Sequence, residues 1–180
     1  MSETPNEEVE HSTASDAQKI SVMFICTANV CRSPTAHGVF QDFVDRAGLS
    51  EHFLIESAGT NVRDPGKVPE ARAQKVAQAL GYSLSGLSSR TFEQTDFDEY
   101  DYIIGMDRTH IEKLEAIRPP QHTGTVRLLL SYANYLQESE VPDPYYGAMS
   151  DFRIAMQLIE QGCISLLEAL VAKHNGLLSQ

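Results

Sequence analysis

Apolar residues along this chain fall into two patterns: short unbroken runs, and longer stretches at helical spacing. Residues 20–25, with Ile20, Val22, Met23, Phe24 and Ile25, read as a strand. Beyond it Ala36, Val39, Phe40, Phe43, Val44 and Ala47 recur at helical intervals until Gly48, with Ser33 expected at the N-cap and Pro34 at the first helical position. Residues 52–56 predict a second strand, and Ser57, Ala58, Gly59 and Thr60 predict a turn into a loop that Pro65 and Gly66 keep irregular. Residues 69–80 suit a helix ending at Gly81. The aromatic and β-branched stretch 100–106 predicts a central strand, after which Asp107 begins a helix that Pro119 and Pro120 stop beyond Ile117. A fourth strand is expected over 126–130, then a polar connection carrying Asp143, then a long amphipathic helix over 150–173. Strands alternating with helices predict one α/β domain, a parallel sheet covered by helices on both faces.

Composition sets the limits of that picture. The chain has 180 residues, enough for one domain with a substantial core. No uninterrupted apolar run approaches the roughly 20 residues of a membrane helix, so a soluble chain is expected. Residues 1–19 carry Glu3, Glu7, Glu8, Glu10 and Asp16 with few large apolar side chains, and predict a disordered acidic tail. They lack the basic start and apolar centre of a secretory signal, which makes the cytoplasm the default location. The domain is expected over 20–175, with a short tail over 176–180. A formal net charge of −11 argues against general nucleic-acid binding. Three cysteines are too few for a secreted disulfide scaffold and lack structural zinc spacing, so neither metal nor cofactor is expected. Cys163, among Leu158, Ile159, Leu166, Leu167 and Leu170, reads as core packing.

The chemistry concentrates in the segment Cys26, Thr27, Ala28, Asn29, Val30, Cys31, Arg32, Ser33, between the first strand and the first helix. Open α/β sheets bind ligands at the carboxyl ends of their strands. A loop there could curl around one oxyanion, with a thiol beneath it, the planar fork of Arg32 beside it and backbone N–H groups around it. Cysteine attacks as thiolate, a form favoured by helix N-termini, amide nests and cations. The weaker competing reading has Cys26 as a small buried residue at a strand end and Arg32 as a partner for a surface carboxylate. Asn29 tolerates left-handed backbone and can tie loop groups together, and the Ser33 hydroxyl can donate to a thiolate. Asp143, between Pro142 and Pro144, is by local rules as well read as a turn residue. Tyr145 and Tyr146 could wall a pocket or merely pack.

The Cys26 to Pro34 segment near the chain start, with Asp143, Pro144, Tyr145 and Tyr146 far downstream, resembles the low-molecular-weight protein tyrosine phosphatases. The likeness takes in Ser57, Ala58, Gly59 and Thr60, then Arg90, Thr91 and Phe92, then 100–107, then Asp151 and Phe152. It implies a four-stranded flavodoxin-like sheet in the order 2-1-3-4 and metal-free hydrolysis of phosphotyrosine in a protein substrate. Separately, a monomer is expected. Cys26 would be the nucleophile that forms a phosphocysteine, Arg32 the oxyanion ligand and Asp143 the acid and then the base. The resemblance further implies that Ser57 braces the loop, that Tyr145 and Tyr146 line the cleft, and that Cys31 protects Cys26 by a reversible disulfide.

Departures from the family pattern are informative. Ala28 stands where relatives usually have glycine, which would strain the loop if φ were positive there. Arg63 occupies the place of a substrate-packing aromatic, and Leu87 that of a loop-bracing histidine. Arsenate reductases on this scaffold that couple to thioredoxin need further cysteines in mid-chain, and none stands between Cys31 and Cys163. Protein-arginine phosphatases are the closer competitor, although Val30 stands where they tend to carry threonine. A non-catalytic phosphotyrosine-binding module is the remaining alternative.

Overall fold

The computed structural model describes residues 18–179, so most of the expected acidic tail and Gln180 lie outside the described residues. Four strands, β1 (Ile20–Cys26), β2 (Phe53–Gly59), β3 (Tyr102–Gly105) and β4 (Thr125–Leu128), form one parallel sheet in the order β2-β1-β3-β4. The helices between and after them are α1 (Arg32–Arg46), α2 (Ala71–Ala79), α3 (Asp96–Glu99), α4 (Arg108–Ile117), α5 (Met149–Lys173) and α6 (Asn175–Leu178). The α/β architecture, the parallel sheet and its order agree with the sequence reading.

β1 is central and buried along its whole length, which explains why its sequence is an apolar run and not an alternation. Its Ile20, Val22, Phe24 and Cys26 enter the core shared with Phe40 of α1, Val76 of α2 and Met156 of α5. Its Met23 and Ile25 enter a second, smaller core with Phe92, Phe97 of α3, Ile103 and Leu114 of α4. After β1 the chain first adds β2 on one side and later β3 on the other. The order therefore reverses at the carboxyl end of β1, the switch point where such sheets hold ligands.

Several element boundaries differ from those predicted. β2 does not stop before Ser57 but runs through Gly59, which pairs with Cys26 across the sheet. A Cβ placed on Gly59 would fall 2.5 Å from the Thr27 carbonyl oxygen and 3.0 Å from the Asn29 amide nitrogen, so only glycine lets this strand lie against the loop. β4 is shorter than predicted, because Leu129 and Leu130 turn into a 3₁₀ segment, Leu129–Tyr132, and bury themselves. Gly162 of α5 makes room for them, since a Cβ there would stand 2.6 Å from Leu129 Cγ. α3, not foreseen, is held by Asp96, whose carboxylate takes the Arg90 fork at 3.0 Å on each oxygen and the Glu93 amide at 2.7 Å.

Helix α5 is long and apolar enough to cross a membrane, but half of its most apolar stretch is buried within the fold. Phe152, Met156, Ile159, Cys163, Leu166 and Leu170 supply that buried face, so Cys163 is a core residue. The chain then continues as α6, where Leu177 and Leu178 pack partly buried on the core; the sequence reading places a terminal tail there.

Candidate active site

The segment between β1 and α1 folds as a tight loop whose carbonyls point outward. Those of Cys26 and Thr27 accept the amides of Thr60 and Asn61 at 2.9 Å, that of Val30 accepts the Glu70 amide at 2.8 Å, and that of Cys31 accepts the Thr35 hydroxyl at 2.7 Å. Among the described residues, the amides of Ala28, Val30 and Cys31 donate to no protein group. All three residues line a cavity of about 450 Å³ together with Cys26, Thr27, Arg32, Arg63, Asp143, Tyr145 and Tyr146. Free inward N–H groups above the start of a 15-residue helix form an anion receptor.

The loop is braced from beneath. Asn29 holds φ at +55°, and among the described residues it is the one non-glycine with positive φ. The strain feared at Ala28 is absent because asparagine takes the left-handed position. Buried, Asn29 donates from Nδ2 to Ser33 Oγ at 2.8 Å and to Ser57 Oγ at 3.0 Å, and its Oδ1 accepts the Arg90 amide at 3.0 Å. Ser57 is thus a buried strand residue, not an exposed turn serine. Leu87 joins the apolar packing, and bracing falls to Asn29 and the two serines.

Ser33 does not cap α1. The helix starts at Arg32 with Cys31 in the capping position and without a side-chain cap. The Ser33 hydroxyl is otherwise engaged: it lies 3.0 Å from Cys26 Sγ while accepting from Asn29. Its single proton has two acceptors within reach, the sulfur at 3.0 Å and the Ala58 carbonyl at 3.4 Å, and the sulfur is the nearer. Cys26 and Cys31 are both buried and free. Burial first, then the charges of Cys26, Glu70 and Asp143, push the Cys31 thiol up to about 12 against the pull of Arg32.

Arg32 is 3% exposed and fixed from behind. One terminal nitrogen donates to Asp107 Oδ2 at 2.7 Å and to the Val141 carbonyl at 2.9 Å, while the other lies 3.6 Å from Asp143 Oδ2. Asp143 stands half exposed at the cavity mouth, its Oδ1 accepting the Tyr145 amide at 3.1 Å. Tyr146 is 95% exposed, and its ring meets that of Tyr145 edge-on at 4.9 Å. Arg63 lines the same mouth, near Lys67, which pairs with Asp64 at 2.7 Å.

Two further residues escape the sequence reading. Asp107 was legible as the start of α4, and its Oδ1 does accept the His110 amide at 3.2 Å; what the sequence hides is that Oδ2 simultaneously holds Arg32. Burial works to raise the Asp107 pKa, but hydrogen bonds from Thr109 and Arg32 and the neighbouring positive charges outweigh it, and the carboxyl lies below its usual range. His110 gave no signal at all. Its ring is fully buried, with Nδ1 accepting the Asp107 amide at 3.0 Å and Nε2 3.0 Å from Thr27 Oγ1. Because Nδ1 must accept, Nε2 carries the proton and donates to the loop threonine.

Burial lowers the His110 pKa from 6.5 to about 4, with Asp107 opposing and Arg32 and Lys113 assisting. Between those pH values the unfolded chain takes up a proton that the folded chain refuses, so stability present above pH 6.5 is lost as pH falls towards about 4. Urea unfolding should show wild type losing up to about 3 kcal/mol more than His110→Gln over that interval. Parallel losses in the two proteins would contradict this.

A thiol beneath an amide cradle, a buried guanidinium beside it and a carboxylate at the rim, all at the switch point of a four-stranded parallel sheet, define a cysteine-dependent phosphatase. The family follows from comparison: the family model for low molecular weight phosphotyrosine protein phosphatase matches residues 21–175, and the chain belongs to that family. It is 35% identical over 151 residues to the low molecular weight protein-tyrosine-phosphatase YfkJ of Bacillus subtilis, covering 84% of this chain and 96% of the relative. A crystal structure of a protein tyrosine phosphatase from Entamoeba histolytica, with Hepes in its active site, superposes with a TM-score of 0.82 at 30% identity, covering 86% of this chain and 99% of that one. The Vibrio vulnificus protein Wzb in complex with benzylphosphonate superposes with a TM-score of 0.72 at 26% identity, covering 83% and 97%.

Proposed function

We propose that this chain, acting as a monomer, hydrolyses phosphotyrosine in protein substrates through a phosphocysteine on Cys26. The observation that carries the reading is the convergence on one cavity of Cys26 and Arg32, from one loop, with Asp143, from a segment far downstream. The Cys26 thiolate, supported by the Ser33 hydroxyl, attacks phosphorus and forms the S–P bond as the P–O bond to the phenol breaks. The departing oxygen takes a proton from Asp143. Water then attacks phosphorus, Asp143 takes a proton from it, the S–P bond breaks and phosphate leaves. Through both steps the loop amides and the free side of the Arg32 fork carry the charge on the equatorial oxygens. Tyr145 and Tyr146 offer aromatic walls to the substrate ring. Arg63 at the mouth supplies a cation for acidic residues that flank the phosphotyrosine.

The test is a parallel assay on phosphotyrosine, phosphoserine and phosphoarginine peptides. Phosphotyrosine should be the preferred substrate, and Asp143→Ala should lower kcat/KM for it by about 10²-fold or more. Preference for phosphoarginine would overturn the substrate assignment while leaving the covalent chemistry standing. Binding without turnover would replace the enzyme by a phosphotyrosine-binding module.

Cys31 serves redox protection in this reading. Peroxide oxidises the Cys26 thiolate to a sulfenic acid, Cys31 sulfur displaces its hydroxyl as water, and an external thiol later reduces the disulfide. After peroxide and then dithiothreitol, wild type should regain most of its activity and Cys31→Ser should not. Equal recovery would refute the role.

A further inference from the structure

The segment that carries Asp143 is tied to the rest of the fold by few bonds. Val141 is anchored on both sides, its amide donating to Met106 at 2.9 Å and its carbonyl accepting from Arg32. Beyond it, the bonds of Tyr145 to Asp143 and of Gly147 to Pro144 stay within the segment. Among the described residues, hydrogen bonds reaching residues 142–147 from outside come from one side chain, Arg72 near the start of α2. Its two terminal nitrogens donate to the Tyr145 carbonyl at 2.9 Å and the Gly147 carbonyl at 3.0 Å.

Arg72 is itself held rigidly. Its Nε donates to Glu70 Oε1 at 2.8 Å, and the guanidinium carbon lies 4.4 Å above the Phe152 ring centre. Glu70 in turn accepts the Arg72 amide at 2.6 Å through its other oxygen, capping α2, while its own amide donates to the Val30 carbonyl of the loop around Cys26. An unbroken path thus runs from that loop through Glu70 and Arg72 to the backbone on either side of Tyr146. From this path we infer that Arg72 is a positioning residue: it fixes the Asp143 segment at the height of the loop around Cys26, so that the carboxyl meets the leaving oxygen. The inference rests on Asp143 being the proton donor proposed above. Arginine is required because three fixed donors in one plane meet two carbonyls and a carboxylate, a pattern a lysine ammonium cannot reproduce.

A misplaced acid harms substrates in proportion to their need for a proton. Phenyl phosphate expels a phenolate whose conjugate acid has a pKa of about 10, whereas 2,4-dinitrophenyl phosphate expels a stable anion unaided. In Arg72→Ala and in Arg72→Lys, kcat/KM for phenyl phosphate should fall about 10-fold and that for the dinitrophenyl ester less than about 2-fold, a share of the 10²- to 10⁴-fold that general acids contribute. The ratio of the two values within one variant does not depend on the fraction of protein folded, so poor folding cannot imitate the effect. Asp143→Ala serves as the reference and should show the same split more strongly. Equal losses on both esters in the Arg72 variants, or none, beside an intact split in Asp143→Ala, would overturn the inference alone. Absence of a split in Asp143→Ala would overturn the proton-donor reading and the inference with it.

Discussion

Cys26→Ser should abolish hydrolysis of aryl phosphates, by roughly 10⁴-fold or more in kcat, as expected when a covalent nucleophile is removed. The serine hydroxyl is close in size to the thiol and can keep the contact with Ser33, which now lies 3.0 Å from the sulfur. It is nevertheless a much weaker nucleophile at neutral pH, and nothing in the site is placed to take its proton: the carboxylate of Asp143 stands at the cavity mouth, beside Arg32. The cradle of free amides and the Arg32 anchors do not involve the sulfur. Inorganic phosphate should therefore still bind to Cys26→Ser, as measured by calorimetry or by competition. Substantial turnover by this variant would exclude a cysteine nucleophile. Loss of phosphate binding together with activity would instead indicate collapse of the loop.

Arg32→Lys should cost about 10³-fold in kcat/KM although the formal charge is unchanged, comparable to the loss of an oxyanion-hole donor or somewhat beyond it. Two separate losses combine. Equatorial oxygens lose a planar pair of donors matched to their spacing, and a point-like ammonium cannot restore it. Behind the site, Asp107 Oδ2 and the Val141 carbonyl lose the nitrogen they share at 2.7 and 2.9 Å. Val141 is fully buried and begins the connection to Asp143, so the acid segment loosens as well. The measurement is kcat/KM together with the affinity for phosphate. Retention of wild-type values would mean that charge alone suffices, and the geometric account of Arg32 would fail.

That dependence on short-range geometry follows from the composition. A chain with net charge −11 repels phosphorylated ligands at a distance, so capture rests on groups in direct contact with the anion. The site meets the requirement with donors that are already oriented: amides whose carbonyls are engaged elsewhere, and a guanidinium fastened on its far side.

Much of this was legible in the sequence because it obeys local rules. The apolar run of β1, the helical period of α1, the Asp107 cap and the long amphipathic α5 each follow from spacing within one element. The loop from Cys26 to Ser33 was visible because its ligands are consecutive. Failures came where a residue serves a distant partner. Ser33 looked like a helix cap, but its hydroxyl is claimed by Cys26 and Asn29. Ser57 and Gly59 looked like a turn, but they extend β2 because small residues are needed where the strand passes under the loop. His110 and Arg72 resembled ordinary helix residues, and their partners lie 83 and 73 positions away at Thr27 and Tyr145. Local periodicity carries no record of such contacts, and Asp143 became a candidate general acid only through family likeness.

The central claim is that phosphorus passes through a bond to Cys26 Sγ. Its most direct test is to quench wild-type enzyme in the steady state with a phosphotyrosine peptide, digest it under mild conditions that preserve thiophosphates, and map the phosphoryl group by mass spectrometry. The account predicts phosphate on the peptide containing Cys26, accumulating further in Asp143→Ala supplied with 2,4-dinitrophenyl phosphate, whose leaving group needs no proton while hydrolysis of the intermediate is slowed. Turnover at the normal rate with the phosphoryl group on another residue, or on none, would contradict it.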